Sequence, residues 1–347
     1  MKLDSAAGGE LLIIGENIHT TRALRRKGKG IVENSGVETI AYKDSTGAQR
    51  YLPVPDSFKE QQAYQQGQIK HVMIAVNSAM AGDDSADESL AYIRQLVDKQ
   101  SRANADFLDL NVDEISWKLD DQKAAIKWLV STVQKMTKLP LSIDSSNVEV
   151  IAAGLSAYDP GNGRPLLNSA SLERMEALDL AREYNARVVV TAAGESGMPN
   201  GPEERVKNAS RMVDAAVKKG FALGDLFIDP LVFPASVDKV FGIHCLDAIR
   251  ELRTKYGGDV HITGGISNAS FGIPGRKLVN EVFLILSVEA GADGGIIDPV
   301  VSDPVEVFGM DRKSDAYQMA EDVILGRDEF CQKYITAWRK GEIGSGR

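Results

Sequence analysis

Short, nearly continuous apolar runs recur along the chain. They are LLIIGENI (11–18), FLDLNV (107–112), LPLSIDS (139–145), PLLNSAS (165–171), RVVVTAAG (187–194), LFIDPLV (226–232), HITGGISN (261–268) and GGIIDPV (294–300). A strand buried on both faces reads this way, because neither face is left to polar residues. Between the runs, apolar positions mostly take helical spacing. After Ser85, for example, Leu90, Ile93 and Val97 share one helix face, and Ser85 with Glu88 reads as a capping box at its start. Repeated strand–helix units in this number predict a (βα)8 TIM barrel. A doubly wound sheet is the alternative, weakened because no run leads into a GxGxxG or Walker-type loop.

Two stretches depart from the rhythm. The segment between the first two runs is far longer than one helix needs, so an insertion is expected at about residues 20–85. Within it, ETIAYKD (38–44) and AQRYLPV (48–54) flank STG and read as a β-hairpin, with Gly47 supplying the turn. After Gly309 a helix is expected from Asp315 to about Lys340, packed across the barrel exterior or bottom. Residues 1–347 read as a single barrel domain without internal repeats or low-complexity segments.

Composition narrows the function. A net charge of −9 is the reverse of what a nucleic-acid binder carries. No apolar run approaches bilayer length, and MKLDSAAGGE lacks the apolar segment of a signal peptide, so a cytoplasmic protein is expected. The two cysteines, Cys245 and Cys331, form no CxxC, which argues against a disulfide scaffold or a thiolate zinc site. One basic run, Arg22, Arg25, Arg26, Lys27 and Lys29, follows the first strand. It reads as a solvated loop, or as a docking patch for an anionic tail or acidic partner.

In a TIM barrel the chemistry sits where strands end and βα loops begin. The polar residues there are Glu16 and Asn17, Asp109 and Asn111, Asp144, Asn168, Thr191, Asp229, Asn268 and Asp298. Carboxylates and amides dominate, and lysine and histidine are missing from the set. A Schiff-base aldolase needs a lysine inside the barrel, and a zinc or iron hydrolase needs histidines or cysteines. The histidines, His19, His71, His244 and His261, make no HxH or HExxH pair, and no metal is expected. His19 lies just past the first strand, within reach of the mouth, but reads as structural; His261 lies at the N-terminal end of its strand. Gly264 and Gly265 suit close packing better than a phosphate cradle. Carboxylates and amides fit a neutral, flat ligand rich in N–H donors, such as the 2-amino-4-oxo-pyrimidine edge of a pterin.

The motifs IIGENI (13–18), LDLNVDE (108–114), IDSSNVEVIAAGL (143–155), LLNSASLE (166–173), FIDPLVFPA (227–235) and GGISNASFGIPGRKLVNEVFL (264–284) together resemble one family. It is the pterin-binding methyltransferases that act with corrinoids. Its members include methyltetrahydrofolate:corrinoid/iron–sulfur protein methyltransferases and the folate domain of cobalamin-dependent methionine synthase. The motifs follow the family's order from residue 11 to about 300.

The resemblance implies a pterin-binding barrel in which Asp144, Asn168 and Asp229 hold the pterin edge. Glu16, Asp109 and Asn111 line the same pocket, Asn268 reaches toward N5 of the folate as the catalytic residue, and Arg276 stands near the mouth. Phe271 follows the methionine synthase branch. The substrate implied is tetrahydrofolate or 5-methyltetrahydrofolate, and the partner a separate corrinoid (cobalamin) protein, since no DxHxxG-type segment is present. A homodimer is expected. The alternatives are a dihydropteroate-synthase-like pterin enzyme and a non-catalytic folate-binding protein. The first is disfavoured because LDLNVDEIS stands where that enzyme carries a GGESTRPG-like loop, and no Lys-x-Arg pair closes the barrel.

Overall fold

The computed structural model describes residues 10–343. The eight apolar runs form β1 (Leu12–His19), β2 (Phe107–Asn111), β3 (Leu141–Asp144), β4 (Leu166–Ala170), β5 (Arg187–Thr191), β6 (Leu226–Asp229), β7 (His261–Ile262) and β8 (Gly294–Ile297). They lie in one sheet in the order β7-β6-β5-β4-β3-β2-β1-β8, and just past β7 Gly265 makes a parallel bridge to Ile296 of β8. This is the expected (βα)8 TIM barrel. Every residue of β2, β4 and β8 is buried, as strands covered on both faces require.

The seventh run departs from expectation. Only His261 and Ile262 are in the strand, and Asn268 lies on a 3₁₀ turn, Ile266–Ser270, instead of at a strand end. There the chain turns to local bonding, with the Asn268 N–H donating to the Gly265 carbonyl at 3.0 Å, and the glycines before it are closely packed. A Cβ on Gly264 would lie 3.1 Å from Val232 and 3.3 Å from Asp229 Oδ1, and one on Gly265 would lie 2.9 Å from Asn268 Nδ2.

The contacts group the chain into two compact units, one of residues 15–168 and the other of the remainder. In the first, the hairpin of the insertion is present as Val37–Lys43 and Gln49–Pro53, joined by Ile31–Asn34 into a three-stranded antiparallel sheet. Short strands Leu24–Arg25 and Gln68–Ile69 pair with each other, and helix His71–Ala81 follows. The sheet is fastened to helix Ala86–Arg102: Arg50 Nη2 reaches Glu88 Oε2 at 2.6 Å, and the Tyr42 ring meets Tyr92 edge-on at 4.9 Å. Glu88 is thereby engaged by the sheet. The expected capping box is absent, because the Ser85 side chain accepts no hydrogen bond from the helix. Ile93 and Val97 are buried as their spacing requires, and Leu90 is partly so.

In the second unit the expected C-terminal helix is two helices, Asp315–Ile324 and Gln332–Arg339. Between them Phe330 and Cys331 take left-handed backbone angles, and Asp328 accepts from the N–H groups of Lys333 and Tyr334, starting the second helix afresh. That second helix lies at the loop after β7: the Tyr334 hydroxyl donates to the carbonyl of Gly275 at 2.9 Å. No helix among the described residues is long and apolar enough to cross a membrane. Cys245 and Cys331 are free and buried.

Candidate functional site

In the first unit, strand register brings three expected residues to one level. Asn111 of β2 pairs with Asp144 of β3, and Asp144 with Asn168 of β4. Side chains alternate along a strand, so Asp109 shares a face with Asn111 two residues on. Asn111 Nδ2 donates to Asp144 Oδ2 at 2.8 Å, and Asn111 Oδ1 accepts the Asp113 N–H at 2.9 Å, which fixes the amide's orientation. Asn168 Nδ2 approaches Asp109 Oδ1 at 3.5 Å, the outer limit of a hydrogen bond. Glu16 makes an ion pair with Arg22, whose Nη1 lies at 3.7 Å, and its charge also acts on His19.

Two further residues belong to this group. His19, the last residue of β1, places Nε2 2.8 Å from Oδ2 of Asp109, whose own exposure is 0%. The only sequence signal for His19 is its place just past the first apolar run. Asp113 clamps the loops after β2 and β3 by accepting from Ser145 Oγ at 2.5 Å and the Ser146 N–H at 2.9 Å. It lies within the LDLNVDE motif, and its clamp needs a loop conformation that spacing does not disclose.

Burial governs the electrostatics. Desolvation raises Asp144 to about 7, and the Asp109 charge adds to this, against the opposing pull of His19 and the Asn111 hydrogen bond. For His19 burial pulls the other way. The hydrogen bond and charge of Asp109, with the charges of Asp144 and Glu16, more than offset it, so His19 is held above its ordinary value. The ligand atoms of His19, Asp109 and Asp144 lie within 4.8 Å of one another, a spacing that could hold a cation. The hydrogen bonds of His19 with Asp109 and of Asn111 with Asp144 tie the same atoms together directly.

In the second unit, Thr191 of β5 is in register with Asp229 of β6. Asp229 Oδ1 accepts the N–H of Leu231 at 2.7 Å across a sharp turn in which Leu231 has φ +70°. Beneath it, Arg205 is fully buried; its Nε donates to the Pro230 carbonyl at 3.0 Å and its guanidinium lies 4.7 Å from the centre of the Phe233 ring. Burial raises Asp229 to about 6, while the Leu231 N–H and the Arg205 charge hold it down. A buried arginine outside every motif end gives no signal in the sequence.

Asn268 is exposed, and its side chain makes no hydrogen bond among the described residues. Arg276 opens helix Arg276–Ala290 and turns back on that 3₁₀ turn, with Nη2 on the Ser267 carbonyl at 2.7 Å and Nε on Ser270 Oγ at 3.0 Å. Arg276 thus braces the segment that carries Asn268.

A family model described as pterin binding enzyme matches residues 76–298. The methylcorrinoid:tetrahydrofolate methyltransferase of Eubacterium limosum is 32% identical over 261 residues, spanning 73% of this chain and 89% of that one. The methionine synthase of Mycobacterium leprae (strain TN) is 29% identical over 238 residues, which are 64% of this chain and 19% of that protein. Among solved structures, dihydropteroate synthase of Xanthomonas albilineans with 4-aminobenzoic acid superposes with a TM-score of 0.51 at 19% identity, covering 66% of this chain and 86% of that one. The same enzyme with 7,8-dihydropteroate gives 0.50 at 17% identity, covering 64% and 84%. At such low identity these two speak for the fold alone.

Proposed function

Because the chain belongs to the pterin-binding enzymes, we propose that it is a methyltransferase, acting as a single domain. It moves a methyl group between N5 of 5-methyltetrahydrofolate and the cobalt of a corrinoid held by a separate protein. The observation that carries this reading is the interlocked set Asp109, Asn111, Asp144 and Asn168. Asp144 Oδ1 makes no hydrogen bond among the described residues, so an acceptor is left for a ligand N–H. Buried carboxylates next to amides suit a pterin edge, since each N–H left unpaired in a dry pocket would be penalised by about 1–3 kcal/mol. The likeness to the Eubacterium limosum enzyme supports the same substrate.

In this reading Asp144 and Asn168 accept from and donate to the pterin edge, Asp109 backs them from its buried position, and Asn111 holds Asp144 in place. Glu16 lines the same pocket. Asp229 is a further acceptor, and Asn268 is the donor toward N5. Arg276 acts through the turn it braces. The corrinoid would supply the cobalt that takes or gives the methyl group. This chain's share is to orient the pterin and to stabilise N5 as its bond to carbon breaks and a proton from solvent replaces the methyl. In the reverse direction, N5 loses that proton as it gains the methyl.

Titration calorimetry of chelator-treated protein with 5-methyltetrahydrofolate tests the pocket, and heat with one-to-one stoichiometry is expected. Absence of heat overturns the assignment. With a reduced corrinoid protein added, growth of the methylcobalt absorbance tests the transfer.

A further inference from the structure

We propose that His19 is a positioning residue of the pterin site, one that holds the Asp109 carboxylate through a hydrogen bond from Nε2. The inference rests on the reading of this pocket as a folate site and adds to it a residue outside the resembling motifs. Three observations support it. The His19–Asp109 distance is 2.8 Å, and Asp109 is fully buried, so an unpaired Asp109 charge would have no water to turn to. The other Asp109 oxygen is the one that Asn168 approaches, so fixing Oδ2 also fixes where Oδ1 lies. His19 is the last residue of β1, and the next N–H, that of Thr20, donates to the Asn111 carbonyl at 2.9 Å. The imidazole is therefore carried on backbone that is itself tied to β2.

A histidine does more here than a neutral donor can. The groups facing it are Asp109, Asp144 and Glu16; Glu16 has Arg22 beside it, and Asp113 acts on Asp144. All but Arg22 are acids. A protonated imidazole offsets this negative charge and makes ionisation of Asp144 easier, whereas a neutral side chain of the same reach supplies only the hydrogen bond. The two contributions are separable by substitution.

The test compares His19→Ala and His19→Gln with the parent in three measurements: affinity for 5-methyltetrahydrofolate by calorimetry across pH 5.5–8.5, methyl-transfer rate at saturating folate, and thermal melting. His19→Ala is expected to weaken folate binding by roughly tenfold to a hundredfold, the range for a hydrogen bond to a charged group. The rate at saturation should change much less. His19→Gln is expected to recover most of the affinity at pH 8.5 and to lose it again at pH 6.5, its acid limb displaced upward from the parent's. A structural role would lower the melting temperature and weaken both variants equally at every pH, which overturns the proposal. So does parental affinity in His19→Ala. A chelator that abolishes folate binding, with recovery on adding zinc only when His19 is present, would make the trio a metal site and also overturns it. If the parent itself binds no folate, the reading of the pocket has failed, and that outcome is distinguishable from all of these.

Discussion

Asn111 Nδ2 donates to Asp144 Oδ2 at 2.8 Å, from the adjacent strand at the same register level. The bond holds a carboxylate that burial pushes to about 7. Raised above its unfolded value near 3.8, such a group favours the folded state while protonated, and that advantage is lost as pH climbs through about 7. Asp144→Asn should therefore be more stable than the parent at pH 8, by a few kcal/mol at most, since a tenfold change in proton affinity corresponds to roughly 1.4 kcal/mol. The advantage should vanish near pH 4. Denaturant unfolding at both pH values checks this. The same variant should bind 5-methyltetrahydrofolate roughly tenfold to a hundredfold more weakly, having lost a charged acceptor. A variant that binds folate at parental strength would remove Asp144 from the pocket.

Parental folate affinity should itself fall on acidification. Asp229 at about 6 and Asp144 at about 7 accept hydrogen bonds through both oxygens only when ionised. Binding is expected to be full above pH 8 and to decline through pH 7 and 6, with Asp144→Asn retaining only the lower of the two steps. Calorimetry across that range gives the answer, and a flat profile contradicts the use of either carboxylate.

Arg205 is buried with no exposed surface, and its Nη2 has no hydrogen-bond partner among the described residues. Its charge holds Asp229 down while its Nε holds the Pro230 carbonyl. Replacing it with Met removes both effects. Stability is expected to fall on the order of 3 kcal/mol, the loss seen when a buried charge forfeits its counterpart. The lower step of the folate pH profile should also move upward, because Asp229 then ionises less readily. An Arg205→Met protein whose profile matches the parent's would separate Arg205 from the site.

The barrel is legible because strands buried on both faces leave unbroken apolar runs, and because hairpin residues such as Gly47 mark their own turn. Asp109, Asn111, Asp144 and Asn168 can be found by reading where those runs stop, since in a parallel sheet the ends of neighbouring strands fall at one level. Three things escape. His19 carries no spacing signal as a single histidine beside a strand end, and its partner lies ninety residues away. Asn268 is expected at a strand end, whereas the strand stops at Ile262 and a local bond from the Asn268 N–H to the Gly265 carbonyl forms a 3₁₀ turn. The capping box at Ser85 fails because Glu88 has a stronger partner in Arg50, supplied by a distant hairpin. For His19 and Glu88 the deciding contact is long-range, and no local spacing announces it.

Asn268 is exposed on its 3₁₀ turn, held from behind by Arg276 and backed against Gly265. Asn268→Ala should slow methyl transfer about a hundredfold while weakening folate binding much less. A hydrogen bond that strengthens as N5 gains its proton acts on the rate. Stopped-flow spectra of Co(I) decay measure it. Parental rates in a variant that folds and binds folate would take Asn268 out of the chemistry.

That turn is also supported from a distance. Gly275 ends the loop with φ +64°; a Cβ there would meet Trp338 Cδ1 at 2.8 Å, and its carbonyl accepts the Tyr334 hydroxyl. Helix Gln332–Arg339 thus presses on the segment joining Asn268 to Arg276. Tyr334→Phe keeps the ring and removes one hydrogen bond, a loss of about 1 kcal/mol that lowers the melting temperature by only a few degrees. Gly275→Ala adds both backbone strain and a clash, so it should destabilise by more, on the order of 2–3 kcal/mol. If the helix serves the site, both variants should slow methyl transfer severalfold at saturating folate, with Gly275→Ala the slower. Their affinity for the pterin edge, set by Asp144 and its neighbours, should stay near the parent's. Transfer at the parental rate in Gly275→Ala would show that the helix stabilises the fold without acting on Asn268.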